Sequence, residues 1–183
     1  SKNLGKNEYL AEYFDAFESV NYPKLAEAGI RIDFNTGYIS KIPEGIFSVS
    51  YKMEADVAIL KLFPGINKNV VNSILSIPNL KGVVLETFGT GNATTQPWFL
   101  EELKTAVDKG LIILNVSQCQ GGGVEQGLYT TSEKFDEIGI IGGNDMTTEA
   151  AITKLMFLLG QKLKKQAIIK YLKRPIRGEL TIL

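Results

Sequence analysis

The sequence predicts an α/β fold: a small doubly wound parallel sheet with helices on both faces, preceded by an amino-terminal helix and a β-hairpin. Three observations carry this. Val57-Ala58-Ile59-Leu60-Lys61-Leu62-Phe63, closed by Pro64-Gly65, is the nearly continuous apolar run of a parallel strand covered on both faces. Lys81 to Gly123 reads as a strand, a glycine-broken loop, a helix and a second strand, which is a βαβ unit. Strand and helix patterns alternate four times, as in a sheet wrapped by helices.

The elements follow in order. Asn7 to Phe17 carries Tyr9, Leu10, Tyr13, Phe14 and Phe17 at helix-like spacing, which predicts a short amphipathic helix or docking arm that needs a surface to lie on. Asn21-Tyr22-Pro23 breaks it. Ile30 to Ile42 has the pattern of a hairpin: Ile30-Arg31-Ile32-Asp33-Phe34 alternates, Asn35-Thr36-Gly37 turns, and Tyr38-Ile39-Ser40 returns. A two-stranded hairpin is marginal alone, so it is expected to pack on something else. These pieces form a connector over residues 1–53, and the α/β domain occupies 54–183.

Within that domain the Val57–Phe63 strand leads to a helix over Asn67–Leu75, with Val70, Val71, Ile74 and Leu75 on one face. The Lys81–Gly123 unit contains a strand at Val83-Val84-Leu85 and a helix from Pro97 to Lys109. Pro97 suits its first turn, Gly110 suits its stop, and Trp98 is read as packing. A second strand covers Leu111–Val116. A polar helix at Ser132–Glu137 and a strand at Ile138–Ile141 come next. A helix from Thr147 to Lys162 is capped by Asp145 or Thr147 and buries Ala150, Ile152, Leu155, Met156 and Leu159. A last helix covers Lys164–Leu172, and Lys162, Lys164 and Lys165 form a solvated face. The whole corresponds to a flavodoxin-like arrangement.

Composition narrows the chemistry. The chain has 183 residues, 44% hydrophobic and 22% charged, with twenty basic residues balancing twenty acidic ones. No net charge attracts a polyanion, so a nucleic-acid partner is not expected. No apolar run approaches the length of a membrane span, and the first residues do not form a signal peptide, so a membrane partner is not expected either. Histidine is absent and cysteine occurs once. That removes Ser-His-Asp and Cys-His catalysis, imidazole zinc sites, thiolate clusters and an internal disulfide. No metal is expected, and a reducing cytoplasm is consistent with the single thiol. Gly89-x-Gly91 has Thr94 where a dinucleotide fingerprint has its third glycine, and no GxxxxGK[ST] occurs, so neither phosphate binding nor a cofactor is expected.

Ligands of open α/β sheets sit beyond the carboxyl ends of the strands. Gly89-Thr90-Gly91-Asn92 and Ser117-Gln118-Cys119 fall there and become candidate walls of a small-ligand site. Asn92 offers one amide acceptor and two donors, and Gly91 lets the backbone approach.

Several longer stretches resemble one family. Phe14-Asp15-Ala16-Phe17-Glu18-Ser19-x-Asn21-Tyr22-Pro23, Gly82-Val83-Val84-Leu85, Gly89-x-Gly91-Asn92-Ala93, Asn115-x-Ser117-Gln118-Cys119, Gly143-x-Asp145-Met146-Thr147-x-Glu149-Ala150 and Arg177-Gly178-Glu179-Leu180-Thr181 are similar, in order, to the carboxyl-terminal part of L-asparaginases of the cytoplasmic bacterial, or type I, branch. The resemblance implies deamidation of L-asparagine to L-aspartate and ammonia in a cytoplasmic homo-oligomer, a dimer or tetramer. Its sites would form where one subunit's larger domain meets its neighbour's smaller domain. Family members are nearly twice as long, and their nucleophilic threonine lies in an amino-terminal half that is not in this sequence. The partners implied are therefore L-asparagine and that amino-terminal domain, and no catalytic residue is assigned in this chain, which alone should be inactive.

The family's catalytic lysine falls at Glu8 by ungapped spacing, or at Lys6 with a shift. By matching position, Asn92, supported by Gly91, approaches the neighbouring subunit's substrate. Ser117 and Cys119 match a second, effector-like asparagine site, where Glu86 replaces the family's arginine and reverses the charge. The simpler reading of Cys119 is a small buried thiol at a strand end. Alternatives are a non-catalytic binding or oligomerisation module on the same fold, and the deamidase subunit of a tRNA-dependent amidotransferase.

Overall fold

The computed structural model describes residues 7–8, 12, 17–39, 41, 44–46, 48–125 and 130–182. Its centre is a four-stranded parallel sheet. β5 (Val57–Lys61), β6 (Gly82–Thr87), β7 (Ile112–Ser117) and β8 (Ile141–Gly142) lie side by side in chain order, with Val57 opposite Gly82, Gly82 opposite Ile112 and Leu114 opposite Ile141. Among the described residues five helices flank it: α1 (Lys68–Leu75), α2 (Pro97–Asp108), α3 (Thr130–Ile138), α4 (Thr148–Gly160) and α5 (Lys165–Leu172).

Alternation along the strands builds two apolar layers. Leu60, Val83, Leu85 and Ile113 pack with Val71, Phe99, Leu103 and Phe135 from α1, α2 and α3. Val84, Leu114, Val116 and Ile141 pack on the other side with Leu155, Leu158, Ile168 and Leu172 from α4 and α5. Every residue of β6 and β7 is buried, because helices cover both of their faces. Trp98 is half-buried against the first layer, with its ring edge-on to Phe99 at 5.8 Å. Lys162, Lys164 and Lys165 are exposed. Among the described residues no helix is long and apolar enough to cross a membrane.

Three expectations change. The ends of the predicted amino-terminal helix are strands: β1 (Asn7–Glu8) pairs antiparallel with β2 (Phe17–Glu18). Helical spacing alone does not hold so short a segment helical in water. Residues 9–11 and 13–16 lie outside the described residues. The hairpin is shifted by one strand. β4 (Ile32–Phe34) pairs with β3 (Ala26–Ala28), which precedes it, and not with Tyr38 and Ile39; Ser40 lies outside the described residues. Asn35 decides this, since its backbone N–H donates to Leu25 O at 2.8 Å and its Nδ2 to Lys24 O at 3.3 Å. The expected turn still forms, with Tyr38 N donating to Asn35 O at 3.0 Å. Finally, α3 runs through Ile138, where a strand was expected; Gly139, at φ 92°, stops the helix and leaves β8 only Ile141 and Gly142.

α4 also differs from its predicted face. Thr147 caps it through Ala150 N, and it buries Ala150, Ala151, Lys154, Leu155 and Leu158. The lysine is tolerated because its ammonium meets Glu179 Oε1 at 2.6 Å and donates to Arg174 O at 2.6 Å and Leu172 O at 3.3 Å. Glu179 also accepts from Ile176 N and Arg177 N at 2.8 and 2.7 Å. Burial pushes the Glu179 carboxyl up, but Lys154 and these amides outweigh it and hold it below the usual carboxylate range. Burial pushes the Lys154 ammonium down, and Glu179 offsets this only in part.

Lys154→Ala strands a buried carboxylate and should cost about 3–5 kcal/mol in urea unfolding. The pH dependence has a definite sign. The native Glu179 carboxyl is held low, so its contribution is complete above its unfolded value of about 4.3 and is lost as pH falls below that, through the native value. Glu179→Gln should flatten this acid limb of the stability curve.

Candidate functional site

Parallel strands place all their carboxyl-end loops on one edge, and the candidate residues gather there. After β6 the chain folds back on itself over Phe88–Asn92. Phe88 N donates to Asn92 O at 2.8 Å, and Asn92 N returns to Phe88 O at 2.8 Å. Gly91, at φ 116°, makes this reversal possible. Gly91 is buried, whereas Asn92 is exposed, and its side chain makes no hydrogen bond among the described residues.

β7 ends beside this loop. Ser117 Oγ donates to Gly89 O at 2.6 Å and accepts from Cys119 N at 3.0 Å, so it joins both loops while 5% exposed. Gln118 spans three strand ends: its backbone N–H donates to Thr87 O at 2.9 Å, and its Nε2 to Glu86 O at 3.0 Å and Leu62 O at 2.5 Å. Cys119 is exposed, which overturns the buried-thiol expectation. Cys119 lies two residues beyond the end of β7, past the sheet whose faces the helices cover.

Glu86 stands apart from this group. Strand alternation places it with Val84 on the α4 side, while Thr87, Asn115 and Ser117 point to the opposite side. Its carboxylate is 6% exposed and already engaged: Thr148 Oγ1 donates to Oε1 at 2.6 Å, and Lys61 Nζ lies 3.2 Å from Oε2. The structure thus brings Gly91, Asn92, Ser117 and Cys119 to one edge and separates Glu86 from them. Of the two lysine positions, Glu8 lies in β1, and Lys6 lies outside the described residues.

Sequence reasoning missed the groups that hold this edge together. Asn115 is fully buried; its Oδ1 accepts from Thr87 Oγ1 at 2.8 Å and its carbonyl from Gly143 N at 2.8 Å. A Cβ on Gly143 would sit 2.8 Å from that carbonyl, so only glycine fits. The available signal was a polar side chain inside an apolar strand. The Gly122–Glu125 loop also went unnoticed. Val124 N donates to Asn144 O at 2.9 Å and Glu125 N to Thr90 O at 3.0 Å, which seats the loop against the Asn92 turn. A cleft of about 250 Å³ opens between this loop, Asn21, Asn144, Asp145 and Thr181. Among the described residues, no three His, Cys, Asp or Glu side chains are grouped to hold a metal.

Comparison with known proteins gives a consistent result. Residues 56–172 match the family described as the glutaminase/asparaginase C-terminal domain. The chain is 40% identical over 171 residues to L-asparaginase 1 of Escherichia coli K12, covering 93% of this chain and 50% of that protein. It is 41% identical over 174 residues to a 60 kDa lysophospholipase of Mus musculus, covering 94% of this chain and 30% of that one. The crystal structure of L-asparaginase I from Vibrio cholerae superimposes with a TM-score of 0.83 at 37% identity, covering 91% of this chain and 50% of that one. The chain therefore spans half or less of the length of these relatives.

Because Cys119 is exposed and uncovered, a thiol reagent should label the native chain to one equivalent without denaturant. Ser117→Ala, which removes two hydrogen bonds, should cost about 1–3 kcal/mol and speed hydrogen exchange at the Cys119 amide.

Proposed function

This chain belongs to the glutaminase/asparaginase family through its carboxyl-terminal domain, and we propose that it supplies one wall of the site of a cytoplasmic L-asparaginase that converts L-asparagine and water to L-aspartate and ammonia. The observation that carries this reading is Asn92: an exposed, unengaged amide on a turn fixed at the carboxyl edge of the sheet. Its oxygen is suited to accept from a substrate ammonium, and its Nδ2 to donate to a carboxylate. Gly91 holds the turn beneath it. In a homo-oligomer, this wall would face the larger domain of the neighbouring subunit.

The covalent step belongs to the other half. A threonine hydroxyl there adds to the substrate's side-chain amide carbon, ammonia leaves with the proton it needs, and water then cleaves the acyl ester to release aspartate. We place that nucleophile outside this chain and read the chain as inactive alone, with residues 1–53 as its connector. The surface agrees with a covering partner domain: Ile32 and Phe34 on the β4 hairpin are 58% and 62% exposed, and Ile59 and Phe63 at the sheet edge 43% and 48%.

A second asparagine position at the Ser117–Cys119 rim draws nothing from Glu86. That carboxylate is paired inward with Lys61 and Thr148, so it neither repels an effector's carboxylate strongly nor attracts its ammonium.

Ammonia release from L-asparagine tests the proposal. The chain alone should release none, a mixture with its separately produced amino-terminal half should release it, and Asn92→Ala should lower kcat/KM of the mixture about tenfold or more. Activity of the chain alone, or an associated but inactive mixture, would contradict it.

A further inference from the structure

We propose that Asn21, in the connector, is a positioning residue for Asn92, so that one side chain sets both the entry of the amino-terminal half and the placement of the substrate-facing amide. This rests on the reading of Asn92 given above. The contacts form an unbroken path. Asn21 Nδ2 donates to Gly122 O and to Asp145 O, both at 2.9 Å, and Gly122 N donates back to Asn21 Oδ1 at 3.0 Å. These bonds bridge 101 and 124 residues of sequence. Three residues beyond Gly122, Glu125 N donates to Thr90 O at 3.0 Å, and Val124 packs against Gly91. Thr90 and Gly91 are the two residues before Asn92.

The path is stiff because its links leave no slack. A Cβ on Gly123 would overlap the Asn144 carbonyl, and one on Gly121 would lie 3.2 Å from Val20 Cγ1. On the far side, Asp145 is fixed by the tail: Thr181 N and Oγ1 donate to its carboxylate at 2.6 and 2.7 Å. Tyr22, next to Asn21, lies against Gly178 of the same tail. The loop between Asn21 and the Asn92 turn therefore has one seat, and Asn21 holds it with an acceptor and two donated bonds.

The test uses the 183-residue chain and then the mixture with the amino-terminal half. Asn21→Ala should raise hydrogen exchange at the Gly122 and Glu125 amides about tenfold; Asn21→Asp, which keeps the acceptor for Gly122 N, should raise it at Glu125; and both should shift the Gly91 and Asn92 amide resonances. Tyr22→Phe, which keeps the ring against Gly178 and loses the 3.1 Å bond to Tyr38 O, should do neither. In the mixture, Asn21→Ala should raise KM for L-asparagine more than it lowers kcat, and its effect should largely vanish in the Asn92→Ala background. Unchanged exchange at Glu125 and unmoved Asn92 resonances, or fully additive effects in the double variant, would overturn the assignment. If the exchange coupling appears while the wild-type mixture makes no ammonia, the coupling stands and the functional reading falls.

Discussion

The carboxyl edge of this sheet depends on one buried residue. Asn115 ties β7 to β6 through its side-chain Oδ1, which accepts from the Thr87 hydroxyl, and to the end of β8 through its backbone carbonyl, which accepts from Gly143 N. All three groups lie where water does not reach, so each hydrogen bond left unmade would cost its full desolvation. Once these strand ends are locked, the Phe88–Asn92 turn and the Gly122–Glu125 loop have fixed bases. Position at this edge is inherited from the core and is not improvised by the loops.

The path from sequence to function then divides into two kinds of surface. The sheet edge presents a small number of polar groups held in place, with Asn92 at their front. The connector and the β5 edge present apolar side chains left exposed among the described residues, including Ile32, Phe34 and Phe63. A domain that makes its own site would cover such groups and concentrate its reactive ones. This domain does the reverse, which supports the proposal that its chemistry is completed from outside. Its relatives carry the same half within chains of different length and under different names, so what distinguishes them is to be sought beyond it.

The core was legible in the sequence because burial on both faces writes a simple signature. Val83–Leu85 is apolar throughout, Leu111–Val116 is so except at Asn115 and Val57–Phe63 except at Lys61, and all three became parallel strands. β5, however, is an edge strand with Ile59 43% exposed and is not covered on both faces as expected. The connector was not legible. Its apolar residues have helical spacing without a surface to enforce it, and the pairing of β3 with β4 was settled by Asn35, whose partners precede it by ten residues or more. The burial of Lys154 was not foreseen for a similar reason: its partner Glu179 lies in the tail, far along the chain, and no local pattern announces it. At the site, spacing located Asn92, Gly91 and Ser117 correctly at the sheet edge. It did not show the face on which Glu86 lies, because the burial of a charge depends on Lys61 and Thr148 from two other elements.

A crystal structure of the chain assembled with its amino-terminal half and soaked in L-aspartate tests the central claim most directly. The account predicts that the Asn92 amide lies within hydrogen-bond distance of the bound product, and that Ile32 and Phe34 are covered by the added domain. Product bound with Asn92 still facing solvent, more than a water's width away, would contradict it.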